Sequence, residues 1–77
     1  MGKKEKLLEK AKRAPNSLTF NDFEALLHAC GWEFKRQSGS HRMWYSPLKF
    51  RLPIQNYKGK AKEYQVKQFL DEYEKES

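Results

Sequence analysis

Trp32-Glu33-Phe34-Lys35-Arg36-Gln37-Ser38-Gly39-Ser40-His41-Arg42-Met43-Trp44-Tyr45-Ser46 is the stretch whose reading decides the fold. From Trp32 to Gln37, apolar and polar residues alternate, which is the period of a strand with one buried face. Ser38-Gly39-Ser40 has turn chemistry. His41 to Ser46 then resumes as a second strand, which Pro47 ends. Leu48-Lys49 connects to Phe50-Arg51-Leu52-Pro53-Ile54, a predicted third strand. Pro53 has no N–H to give a neighbour, so the third strand needs an edge or a bulge at that point. Such short connections make an antiparallel meander.

Working outward, Thr19-Phe20-Asn21-Asp22 predicts a helix start. The Thr19 hydroxyl can accept from a free N–H, and Asp22 suits the positive end of the helix dipole. Phe20, Phe23, Leu26, Leu27 and Cys30 recur at helical spacing. Gly31 supplies the left-handed residue that ends the helix. His28 within this segment is expected to be a partly buried structural residue. Asn56-Tyr57-Lys58-Gly59-Lys60 reads as a basic loop. Glu63 to Lys75 forms a last helix, with Val66, Phe69, Leu70 and Tyr73 on one face. Ahead of all this, residues 3–13 read as a charged helix with a narrow Leu7, Leu8, Ala11 stripe, stopped by Pro15-Asn16. The chain therefore divides into a basic helical extension, 1–17, and a core, 18–77.

The architecture expected is α+β: a three-stranded antiparallel sheet with helices on one face and the other face open. Period two turns Trp32, Phe34, Trp44, Phe50, Leu52 and Ile54 toward the helices. It turns His41, Met43 and Tyr45 outward, near Lys35 and Arg51. A bulge at Gly39 or Pro53 would shift this locally.

At 77 residues there is room for one small core and not for a large internal pocket, so a site must lie on the surface. A formal charge of +6 and a pI near 9.6 point to a polyanionic partner, either nucleic acid or an acidic protein. The charge is uneven. Lys49, Arg51, Lys58, Lys60 and Lys62 fall in a stretch without an acid, whereas the last helix is neutral to acidic. One cysteine, Cys30, makes no internal disulfide and is expected to be buried. One Cys and two His do not make a metal cluster, so neither a metal nor a cofactor is expected. No apolar run reaches membrane-spanning length, and no secretory segment is evident. These features predict a soluble cytoplasmic protein.

His41 is the one residue here suited to proton transfer at neutral pH. Unperturbed imidazole titrates near 6.5 and can both take and give a proton. Among lysines and arginines, a neutral imidazole can take the proton of a ribose 2′-hydroxyl that then attacks the adjacent phosphate. An acid must protonate the leaving 5′-oxygen, and cations must stabilise the phosphorane. Lys60, Lys35, Tyr45 and water are all candidates for that acid. The alternative is that His41 simply pairs with the turn and closes it. Tyr45 and Met43 offer a surface on which a base can stack or a protein partner can sit. Lys58 and Lys60 flank Gly59 before a helix start, an arrangement that suits phosphate.

Gly31-Trp32, Arg36-Gln37-Ser38-Gly39-Ser40-His41, Trp44, Leu52-Pro53-Ile54 and Lys58-Gly59-Lys60 follow one another in an order that resembles the HicA family of bacterial toxins, also called YcfA-like. The resemblance runs over about residues 18–73. It implies a double-stranded-RNA-binding-like fold and a ribosome-independent mRNA interferase neutralised by a HicB-like antitoxin. The family's catalytic histidine falls on His41, and its preceding glycine on Gly39, beside Ser40. Lys35, Tyr45, Arg51, Lys58 and Lys60 are the accompanying RNA-contact candidates. Gln55-Asn56 stands where members often carry a second histidine. The rival readings are a non-catalytic RNA-binding module of the same fold and a protein-interaction domain for an acidic partner.

Overall fold

The computed structural model describes residues 2–77. Helix α1 spans Lys3–Arg13 and α2 spans Phe20–Ala29. Strands β1 (Glu33–Ser38), β2 (His41–Tyr45), β3 (Arg51–Tyr57) and β4 (Lys60–Ala61) follow, and α3 (Glu63–Glu76) closes the chain. The strands lie in chain order as an antiparallel meander. The expected α+β arrangement holds, with helices on one face and the other face open. No helix among the described residues is long and apolar enough to cross a membrane.

The local signals act as their chemistry requires. Thr19 Oγ1 accepts from the Asp22 N–H at 3.0 Å, capping α2. Gly31, at φ +87°, takes the left-handed step after it, and Trp32 N–H returns to Leu27 C=O at 3.0 Å. Leu52, Ile54 and Trp44 then meet Phe23, Leu26, Leu27, Val66 and Phe69 in the core. Phe69 stands edge-on to both Phe23 (6.0 Å) and Trp32 (5.2 Å). In so small a core, such aromatic pairs add about 0.5–1.5 kcal/mol each beyond their buried area. Helix α1 joins this core: Leu7 and Ala11 are buried in it, and Lys10 reaches Asp22 of α2 at 3.8 Å.

The structure corrects the sequence reading in five places. The sheet has a fourth strand, because the expected basic loop is a hairpin. Its backbone continues β3 to Tyr57, turns at Lys58-Gly59 and returns as β4. The far side of β4 is held by the α2 entry: Ala61 N–H donates to Leu18 C=O at 3.1 Å, and Phe20 N–H to Gly59 C=O at 3.0 Å. The bulge lies neither at Gly39 nor at Pro53 but between Phe34 and Arg36. Phe34 faces the helix side opposite Trp44, yet it sits on the edge strand and remains 40% exposed. Phe50 precedes β3 and stays partly exposed, packed edge-on against Trp32. His28 is exposed, since the α2 face it shares with Ala29 points away from the core.

Pro53 behaves as its chemistry demands. Strand β4 pairs with β3 only at Asn56 and Tyr57, so the outer edge of β3 is open at Pro53. Cys30 is half-buried. Burial pushes its thiol pKa up, with Lys4 pulling it down and Glu5 adding a smaller upward push.

Candidate nucleic-acid interface

Strand β2 carries the site, and its two sides have different fates. On the helix side, Arg42 Nε and Trp44 Nε1 donate to one carboxylate oxygen of Glu24 on α2, the tryptophan at 3.1 Å. The Arg42 guanidinium also lies 4.0 Å from the Phe34 ring centre. Its Nη1 reaches Gln37 Oε1 at 3.4 Å. This cluster fastens β2 to α2 and fixes the plane from which the other side chains project.

On the open side stand His41, Met43 and Tyr45. His41 pairs with Ser38 of β1 and Gln55 of β3. The Gln55 N–H points away from β2, to Oε1 of the buried Gln65 at 3.0 Å. The His41–Gln55 pair is therefore of the non-hydrogen-bonded kind, in which facing side chains lie closest. Gln55 Nε2 reaches Ser40 Oγ at 3.4 Å, so the turn, Gln55 and His41 form one polar cluster. The His41 imidazole makes no side-chain hydrogen bond or ion pair among the described residues and is partly exposed.

Gly39 and Ser40 form a two-residue turn with positive φ only at Gly39, +62°, the pattern of a type II′ hairpin. A Cβ there would meet no atom within 4 Å. The glycine is needed for its backbone angle, and space above the turn is free for a ligand.

The remaining candidates fall into two groups around His41. Tyr45 and Arg51 face each other four residues along the pair, about 13 Å away. Lys35 lies toward that end and is tied to Glu33 at 3.2 Å. Lys58 and Lys60 occupy the other end, where Tyr57 pairs with Lys60. Sequence reasoning overlooked Arg36, which the bulge sets opposite Met43 on the open face. It overlooked Gln55 as the direct neighbour of His41, although parity with Pro53 places both on one face. It also overlooked Glu24, whose role needs the docking of α2 and has no local signal.

With this geometry in hand, the match to known families is specific. The profile of the family described as HicA toxin of bacterial toxin-antitoxin matches residues 20–74 of the 77. The chain belongs to the HicA toxin family. The matched stretch runs from the first residue of α2 to near the end of α3, and so includes the whole sheet. Helix α1 precedes it. Searches of curated proteins and of solved structures gave no match. The α+β sheet with helices on one face is the double-stranded-RNA-binding-like arrangement of HicA proteins. Membership makes this a toxin of a toxin–antitoxin system, and such a system implies an antitoxin partner.

Proposed function

We propose that this HicA-family toxin cleaves messenger RNA in the cytoplasm, with His41 as the group that moves the proton. The observation that carries the reading is an unbonded imidazole on the open face, facing Gln55 and flanked by cationic groups at both ends. The neutral imidazole takes the 2′-hydroxyl proton as that oxygen attacks the adjacent phosphorus. The bond to the 5′-oxygen breaks, and that oxygen takes a proton from solvent or from a neighbouring ammonium. The products are a 2′,3′-cyclic phosphate and a 5′-hydroxyl, and the step requires no metal or cofactor.

Gly39 and Ser40 shape the approach to His41, while Gln55 can donate to a phosphate oxygen but cannot replace a histidine in proton transfer. Arg51, Lys58 and Lys60 contact phosphates, with Lys35 and Arg36 on the β1 side. Tyr45 offers a stacking surface. A HicB-like antitoxin silences the toxin by covering the open face.

The rival is an RNA-binding module without catalysis. It draws support from the lack, among the described residues, of a carboxylate or carbonyl orienting the imidazole. Purified protein and His41→Ala, incubated with a defined single-stranded RNA in EDTA, decide between them. Cleavage by the first alone supports the proposal. RNA binding without cleavage by either supports the rival.

A further inference from the structure

Tyr57 and Tyr64 are 55% and 58% exposed, unusual for rings in a chain that relies on aromatic residues for its core. They line one open cleft of about 620 Å³, together with Lys60, Lys62 and Lys67. Tyr57 follows Gln55 by two residues, so it continues the open face about 7 Å beyond the His41–Gln55 pair. The Lys58 and Lys62 ammonium groups lie 5.5 and 5.8 Å from the Tyr57 ring centre. Lys58, Lys60 and Lys62 enter no ion pair among the described residues, while Lys67 holds Glu63, the cleft's acid, at 3.2 Å.

The turn adds an independent observation. Lys58 (φ +53°) and Gly59 (φ +84°) are both left-handed, the pattern of a type I′ hairpin turn. Its first central position favours Asn, Asp or Gly. A lysine sits there against the backbone preference. Asn56 Oδ1 accepts from the Gly59 N–H at 2.7 Å and holds the turn in place. Positions kept in a disfavoured conformation point to a use for the side chain.

We propose that this cleft is a stacking subsite for single-stranded RNA next to the cleaved bond. One base stacks on Tyr57 and the following base reaches Tyr64, while Lys58 and Lys62 move off the Tyr57 ring and, together with Lys60, hold the intervening phosphates. The inference rests on the RNA-cleaving reading above and adds the strand form and the side of His41 on which the flanking nucleotides lie. Free ammonium groups beside exposed rings fit a chain of bases and phosphates. Because every base has a π-face, the subsite is tolerant of sequence.

The test uses the full chain carrying His41→Ala, so that substrate survives, and follows the anisotropy of a labelled single-stranded RNA of about ten nucleotides. Tyr57→Ala and Tyr64→Ala are each expected to weaken binding about tenfold, and Tyr57→Phe to keep affinity within about twofold. An abasic nucleotide at the stacked position should erase the difference between Tyr57 and Ala. Both rings are exposed, so the core is untouched, and circular dichroism checks that. Weakening by Lys60→Ala with unchanged affinity in the tyrosine variants would remove the subsite and leave the RNA reading standing. Absence of RNA binding by the parent chain would remove both. Unchanged RNA affinity with weakened antitoxin capture would assign the cleft to the protein partner and overturn the proposal.

Discussion

His41 and Arg42 are consecutive residues, and the sheet treats them in opposite ways. Arg42 is held by Glu24, Gln37 and the Phe34 ring, and it shares Glu24 with Trp44. His41 makes none of these contacts and faces the open side. The half-turn per residue of a strand separates a fastened guanidinium from an unbonded imidazole at a distance of one peptide bond. The fastened side gives β2 a fixed position, and the bare side leaves an imidazole free to meet a substrate.

This contrast can be broken from either side. His41→Ala should lower RNA cleavage by about 10²–10⁴-fold, the usual worth of a positioned acid–base group. It should leave the thermal midpoint nearly unchanged, and growth arrest on expression should be relieved. Glu24→Ala should do the reverse. It strands two donors in a partly exposed pair, between the surface and buried limits, so about 2 kcal/mol of stability is at stake. Urea titration measures that loss, and cleavage per folded molecule should fall far less than in the His41 variant. Equal stability losses in the two variants would erase the distinction.

Helix α1 poses a second contrast, between the stretch matched to the family and what precedes it. The matched residues begin at α2, yet Leu7 and Ala11 of α1 lie in the same core. Leu7→Ala should cost about 2 kcal/mol, the low end for a buried leucine, because the helix packs at the periphery. An unchanged denaturation midpoint would make α1 a dispensable arm.

The sequence reading succeeded where the rule was local and failed where it was not. Thr19, Gly31 and the Phe23–Leu26–Leu27 spacing mark α2, because caps and periodicity act within a few residues. The Ser38–His41 turn was legible for the same reason. Strand β4 was hidden because Lys58 occupies a place where a hairpin usually shows Asn, and because its pairing with residues 18–20 is tertiary. The bulge beside Lys35 has no glycine or proline to announce it, so Arg36 was left out of the site. Gln55 was seen only as a departure from the family's histidine. Its place opposite His41 needed the register of β2 against β3.

A smaller effect tests the turn at Lys58. Lys58→Asn should stabilise the fold by about 0.5–1 kcal/mol, since asparagine tolerates the left-handed angle that lysine resists. The same change should weaken RNA binding and flatten its salt dependence by about one phosphate contact. Stabilisation without loss of RNA binding would mean that the strain at Lys58 serves no ligand.

The smallest effect lies at the other end of the molecule, where the β2–β3 connection is clamped by α3. Glu76 accepts from Ser46 Oγ at 2.6 Å and from the Leu48 N–H at 3.3 Å. Burial pushes the Glu76 carboxyl up, but the bonds from Ser46, Glu72 and Leu48 outweigh it and leave the pKa lowered. Its contribution is therefore present above the ordinary carboxylate range and is lost as pH falls through the lowered value. Glu72 is shifted the other way, first by its hydrogen bond to Glu76 and then by burial and the Glu76 charge. It favours the fold below the ordinary range, and that contribution is lost as pH rises through the raised value. Once both are ionised, the two carboxylates oppose each other. Glu72→Gln keeps a donor toward Glu76 without the charge, so it should raise the thermal midpoint at about pH 7. The gain should fade near pH 4, where protonated Glu72 supplies the same donor. A midpoint difference that ignores pH would show that the two carboxylates do not act on each other.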